Sequence, residues 1–318
     1  MKLKRAFLIL TAAVILFFAA ACGNNGLRKI YSAAEETLLE QKENCVGSVG
    51  GEWRIIGLAR SGKLTDKAAD EYLKNAEEYV KNIGKDRLDD VKSTENSRLI
   101  LGVSAAGGDP LNIGGRNLIA GLSDMSYIEG QGINGAVWAL IAFDCKKFDI
   151  PQCAEEEKTV TREKLVSCIL QAQSEDGGYG LIKDSSDADL TAMALQALAP
   201  YKEEAEVETA IEKALLYLSE IQLKDGGYES YGTVNSESCS QVAVALLSLG
   251  IDIEKDERFI KEGKNVIDAL SGFAVERGFC HQKEKLVYDA MATEQAYYAI
   301  TAYYRFKENK APLYDFTE

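Results

Sequence analysis

Two kinds of helical pattern alternate along the chain. Arg28–Leu39 and Asp66–Ile83 carry apolar residues on one face and charges on the other, as half-exposed helices do. The segments that follow them, Gly50–Ala59 and Asn96–Ala106, are apolar nearly all round and predict helices buried between layers. The alternation continues, more weakly through Gly115–Met125, and then Gly132–Phe143. It recurs in Leu165–Gln173 with Asp189–Leu198, in Ala214–Gln222 with Ser236–Leu249, and in Val266–Leu270 with Asp289–Tyr304. Six helix pairs result. Pro110, Pro151, Pro200 and Pro312 all fall outside these helices, as a residue without a backbone donor should. No segment alternates with period two, so no strand is expected.

The fourth and fifth pairs share a turn. Gln173-Ser-Glu-Asp-Gly177-Gly-Tyr179 recurs as Gln222-Leu-Lys-Asp-Gly226-Gly-Tyr228, and Arg277-Gly278-Phe279 is a weaker third copy. A period of about 50 residues built from one half-exposed and one buried helix predicts stacked hairpins. Neither terminal pair is more polar than the rest, so closure into a ring is expected rather than an open solenoid with polar caps. The predicted fold is all-α, an α/α toroid of six inner and six outer helices over residues 27–318.

Composition adds location and excludes partners. The 318 residues hold 36 Lys+Arg against 50 Asp+Glu, a net charge of −14. Such a surface cannot neutralise phosphates, so nucleic acid is excluded as a partner. Met1–Arg5 is basic, and Ala6–Ala21 is uncharged, with Thr11 its one polar residue. That run is short for a membrane span and suits a signal peptide over residues 1–21. It ends in small residues before Cys22, and this arrangement resembles a bacterial lipoprotein signal, although Ala19 stands where leucine is usual. The resemblance implies a lipid on Cys22, a tether over 22–26, and a chain held to the membrane on the extracytoplasmic face of a bacterial envelope. The other six cysteines lie mostly among apolar helical positions and read as small hydrophobes.

The turn Gln-x-x-x-Gly-x-Tyr resembles the QW repeat of terpene cyclases, with Tyr179 and Tyr228 in place of tryptophan. The six-pair layout resembles the toroid shared by terpene cyclases, protein prenyltransferase β subunits, thioester domains and cobalamin carriers. Asp187–Tyr201, Asn235–Ile253 and Met291–Phe306 resemble bacterial surface proteins described as prenyltransferase-like or terpene-cyclase-like. This superfamily shares a scaffold and not one chemistry.

Inner helices that all run the same way bring their N-termini to one end, where free N–H groups attract anionic and polar groups. The first turns there carry Gln131 and Asn134, Asp187 and Asp189, Asn235, Glu237 and Gln241, and Asp289 and Glu294. Helix capping explains acids at such positions equally well. Together with Trp53, Trp138, Tyr179 and Tyr228 they predict a polar-rimmed, aromatic-lined ligand site. Tyr179 and Tyr228 are expected to pack the turns first and touch a ligand second.

Asp187-Ala188-Asp189-Leu190-Thr191-Ala192 resembles the acid motif of squalene–hopene cyclases. The resemblance makes Asp189 the candidate general acid, but Leu190 replaces the acid that should follow it. Tyr288–Thr293 resembles the prenyltransferase helix that carries a zinc histidine, here replaced by Ala292, so no metal is expected. Ala188–Met193 also resembles the start of an inner helix in cobalamin carriers, which makes a corrinoid possible. The β domain that clamps it there has no counterpart in this sequence, and no cofactor is otherwise expected. The expectation is a non-catalytic protein that holds a small molecule, glycan or peptide in the central cavity. The alternatives are a cyclase or prenyltransferase-like enzyme using Asp189, and a module that docks another protein.

Overall fold

The computed structural model describes residues 26–41, 44–47 and 49–318. The predicted signal peptide and Cys22 lie outside these residues. Helix α1 spans 26–40, followed by α2 (Glu52–Arg60), α3 (Asp66–Ile83) and α4 (Ser93–Ala105). Then come α5 (Leu118–Gly121), α6 (Met125–Glu129), α7 (Gly132–Asp144), α8 (Arg162–Gln171) and α9 (Ala188–Leu198). The chain closes with α10 (Ala205–Ile221), α11 (Ser236–Ser248), α12 (Val266–Ser271) and α13 (Ala290–Lys307). Among the described residues no helix is long and apolar enough to cross a membrane.

The apolar helices of the sequence are α2, α4, α7, α9, α11 and α13, and they are the buried ones: every residue of α11 from Ser238 to Leu247 is buried. Each packs on the next in that order, and α13 packs on α2 as well as on α11. The half-exposed helices lie against them from outside, α3 on α4, α8 on α7, α10 on α9 and α12 on α11. Helix α1 lies alongside α13, where the Tyr31 ring stacks on Tyr297 at 4.7 Å and its hydroxyl meets Thr301 at 2.9 Å. Arg28, near the start of α1, is within electrostatic reach of Tyr304 and Glu308 at the end of α13. The two helices therefore run antiparallel.

Two expectations need correction. The third half-exposed helix is not one segment over Gly115–Met125 but the two short helices α5 and α6. Asn117 caps the first, accepting from Ala120 N at 3.0 Å, and Asp124 caps the second, accepting from Ser126 N at 2.9 Å. At the end of α5 a Cβ on Gly121 would collide with the Asp86 backbone, so no side chain fits there. Strands also exist. Three antiparallel hairpins, β1–β2 (Tyr179–Ile182, Ser185–Asp187), β3–β4 (Glu229–Ser230, Thr233–Val234) and β5–β6 (Ala274–Val275, Gly278–Phe279), join outer to inner helices. Strands of two to four residues are too short for alternation to be seen in sequence.

The repeated turn explains its own composition. Gln173 Nε2 donates to Gly177 O at 2.9 Å and to Ala210 O at 2.8 Å, and Gln222 Nε2 donates to Gly226 O at 2.9 Å and Phe259 O at 3.1 Å. Each glutamine thus closes its own turn and ties it to the next element. Gly177 and Gly226 hold φ of 86° and 83°, in the left-handed region that glycine adopts without strain.

Candidate functional site

The six apolar helices begin at one end of the molecule, and the three hairpins stand around that end. Asp187, Asn235 and Asp289 are the N-caps of α9, α11 and α13. Their side-chain oxygens accept from Leu190 N at 2.8 Å, Ser238 N at 2.7 Å and Ala292 N at 2.9 Å. Capping is what short acid and amide side chains do best at such positions. Four residues after two of these caps, Thr191 and Thr293 receive the amides of Tyr179 and Phe279, both at 2.9 Å. Cys239 holds the corresponding place after Asn235.

Asp189 is different. It stands in the first turn of α9 and its Oδ1 is buried without a hydrogen-bond partner. Burial raises its pKa, the Ser238 and Ser230 hydroxyls lower it, Glu237 raises it and His281 lowers it. The two hydroxyls face the carboxylate closely enough to stabilise its charge, yet neither completes a hydrogen bond of good geometry, and both are themselves buried and unpaired. Asp187 is also raised, first by burial, and its second oxygen accepts the Tyr231 hydroxyl at 3.3 Å. Glu237 accepts from Ser236 Oγ at 2.9 Å and meets His281 Nδ1 at 2.9 Å. Above this cluster the hairpin tips and the loop before α13 expose Ile182 (74%), Tyr231 (73%), Leu286 and Val287.

The remaining candidates divide. Glu294 is buried on α13, where Oε1 accepts from Gly50 N at 2.6 Å and Oε2 has no partner. Burial drives its pKa up to about 7, against the Gly50 amide and Arg54. Gln131 does not cap its own helix but accepts from Thr94 N at 2.8 Å and Ser93 Oγ at 3.1 Å at the start of α4. Asn134 is half-buried in the first turn of α7. Tyr179 and Tyr228 are fully buried inside the turns.

Gln241 lies deeper. It accepts from Gln196 Nε2 at 3.0 Å and donates to Tyr298 Oη at 2.8 Å and Gln295 Oε1 at 3.1 Å. Beside this amide network, Trp53 of α2 meets Trp138 of α7 at 5.2 Å and Tyr298 of α13 at 6.3 Å. Tyr314 reaches Trp138 from the other side at 6.0 Å. Helices that are not neighbours touch through these rings, so aromatic and amide side chains fill the space between the apolar helices.

Sequence reasoning missed Ser230, Ser238 and Tyr231, and the pairing of the exposed His281 with Glu237. The signal for the serines was present, since both flank Asn235 near a predicted rim helix. Among the described residues no group of three or more His, Cys, Asp or Glu side chains is placed to hold a metal ion.

No protein-family model matches the sequence, and no curated protein does. Among the solved structures that share the fold are a protein prenyltransferase and a terpene cyclase. The Candida albicans protein geranylgeranyltransferase-I complexed with GGPP superposes with a TM-score of 0.55 at 12% identity, covering 80% of this chain and 84% of its own. A type II terpene cyclase from Scytonema, in complex with its substrate geranylgeranyl dihydroxybenzoate, gives a TM-score of 0.54 at 12% identity, covering 87% and 97%. The chain has a prenyltransferase- and terpene-cyclase-like toroid fold.

Proposed function

We propose that this fold is a closed toroid of six inner and six outer helices, anchored by a lipid on Cys22 outside the cytoplasmic membrane of a bacterium. It binds a small molecule, glycan or peptide at the mouth where the inner helices begin, and it does no chemistry on that ligand. The observation that carries the reading is the group of buried, unpaired polar atoms at that mouth: Asp189 Oδ1, Ser230 Oγ and Ser238 Oγ. Buried polar atoms without partners destabilise a fold unless something supplies the missing contacts, and a ligand with donors supplies them here. Gln131, Asp187, Asn235 and Asp289 are held by capping bonds and shape the rim. Glu237 and Gln241 face the ligand beside and below Asp189.

A cyclase requires more than a raised carboxyl. Its acid must be kept protonated and poised over a closed hydrophobic chamber. Here Leu190 follows Asp189, serine hydroxyls stabilise the ionised form, and rings and amides occupy the space beneath. The exposed hairpin tips favour a second reading, in which the same mouth docks a partner protein through an apolar rim.

The test is native mass spectrometry of the full chain extracted from envelopes and then offered GGPP and a corrinoid. GGPP comes first because one structural neighbour is a complex with it. A retained or captured mass supports the binder. Asp189→Asn should weaken capture about tenfold or more for a ligand that donates to Asp189, the value of a charge-assisted hydrogen bond, and should not weaken capture of the anionic GGPP. Release of diphosphate, or an isomeric product, would replace this reading with a cyclase, and a bare mass throughout would favour the docking module. Palmitate labelling of the wild type, lost in Cys22→Ser, checks the anchor.

A further inference from the structure

The opposite end of the molecule carries a different cavity. There α7, α9 and α11 finish around a cleft of about 440 Å³, which the C-terminal tail borders with Pro312 and Tyr314. Ile141, Ala197 and Pro200 give it apolar walls. Gln196, 5% exposed, sits in the wall. Its Nε2 donates to Gln241 O at 3.1 Å and to Gln241 Oε1 at 3.0 Å. Both partners are acceptors, which fixes the orientation of the amide. Gln196 Oε1 is left buried with no donor.

The charges at the rim are balanced. Lys147 and Arg162 stand against Asp144 and Asp315. Arg162 Nε donates to Asp144 at 2.7 Å, its Nη2 donates to Phe143 O and Phe148 O, and Tyr201 Oη donates to Asp144 at 2.7 Å. Neither Arg162 nor Asp144 is left to recruit an ion. An anion would bring Gln196 Oε1 a second acceptor instead of a donor. An ammonium group would lose its hydration among apolar walls, where Asp144 is already engaged by Arg162 and Tyr201. A hydroxyl brings one proton and costs little to bury once that proton is donated.

We propose that this cleft is a second binding site, for a neutral aliphatic molecule whose terminal hydroxyl donates to Gln196 Oε1. Its volume is in the range of small-molecule sites, which are mainly apolar with few polar anchors. The cleft lies at the opposite end of α9 from Asp189, and Gln241 bonds Gln196 between the two ends.

The proposal is tested by photolabelling the full chain in lipid nanodiscs. The probes are a ten-carbon alcohol bearing a mid-chain diazirine and its methyl ether, which has no proton to donate. The alcohol should label the segments containing Ile141, Ala197 or Pro312 about tenfold more than the ether does, one hydrogen bond's worth of affinity. Gln196→Leu should bring the alcohol down to the level of the ether. Ser248→Phe should fill the cleft and remove both labels, and Ser248 can be spared because its hydroxyl bonds only within its own helix, to Val244 O. Circular dichroism checks that each variant folds. If Gln196→Leu does not fold, the alcohol-to-ether ratio in the parent still decides the hydrogen bond and Ser248→Phe decides the place. Equal labelling by the two probes, or labelling that survives Ser248→Phe, overturns the proposal.

Discussion

Glu294 shows how little of a residue's role is local. Its place in the first turns of a buried helix marked it as a candidate, but the partner that holds it, Gly50 N, is 244 positions away. No pattern in the sequence connects them. The consequence is a measurable pH dependence. Below the ordinary glutamate range, about 4.5, the group is protonated whether the chain is folded or not. Between there and about 7 the folded state keeps a proton that the unfolded state has lost. Stability therefore falls as pH rises through that window and is lowest above it, by about 3 kcal/mol if Glu294 acts alone. Glu294→Gln should flatten the urea midpoint between about pH 5 and about pH 8 and stabilise the protein at the upper end. An unchanged pH slope in that variant would assign the dependence to the other buried carboxyls whose pKa values are raised in the same sense, Glu52, Asp187 and Asp189.

Elements were legible where their chemistry is local. The two Gln-x-x-Asp-Gly-Gly-Tyr turns announce themselves because each residue has a task within a few positions: Asp176 and Asp225 accept from Gly178 N and Gly227 N, and the glutamines close the loop. The hairpins behind those turns were invisible, being too short for any period, and caps at Asn117 and Asp124 split a helix that apolar spacing alone had joined. Glycine positions separate steric from conformational demand. Gly232 has φ of 74° with open space around it, so Gly232→Ala should cost only about 1 kcal/mol in left-handed strain. Gly226 has a similar φ of 83°, but a Cβ there would meet Asn265 O at 2.4 Å. Gly226→Ala should cost about 3 kcal/mol or more, because backbone must move as well. Urea unfolding of the pair tests this, and equal losses would show that the turn yields freely.

At the scale of the whole molecule, alternation of half-exposed and buried helices was enough to foresee a mostly helical fold in which the apolar helices are the buried ones and pack in chain order. The tail was not foreseen, since Pro312–Phe316 has no periodicity to read. It nevertheless spans the end where the apolar helices finish: Phe316 N donates to Cys145 O at 2.7 Å, Tyr314 meets Trp138, and Glu318 bonds Arg305 at 2.7 Å. The protein has two tryptophans, and Trp53 and Trp138 touch each other, so fluorescence reports on the core of the molecule alone. Deleting residues 311–318 should expose that pair, shift emission to longer wavelength and lower Tm by several degrees. An unshifted spectrum would mean that the rings remain covered without the tail.

The direction of α1 fixes which way the molecule looks. Residue 26 starts beside the last turn of α13, and the helix climbs from there toward the beginning of α2, where Arg54 Nε grips Leu38 O at 2.7 Å. Any support that seizes the chain just ahead of that helix, whether a lipid leaflet or a streptavidin chip, lies against the end bearing the tail and the aliphatic cleft. The acidic opening with its greasy tips is then displayed outward, like the bell of a horn held by its mouthpiece. An N-terminal tag should leave that end unhindered, and a C-terminal one should crowd the cleft instead.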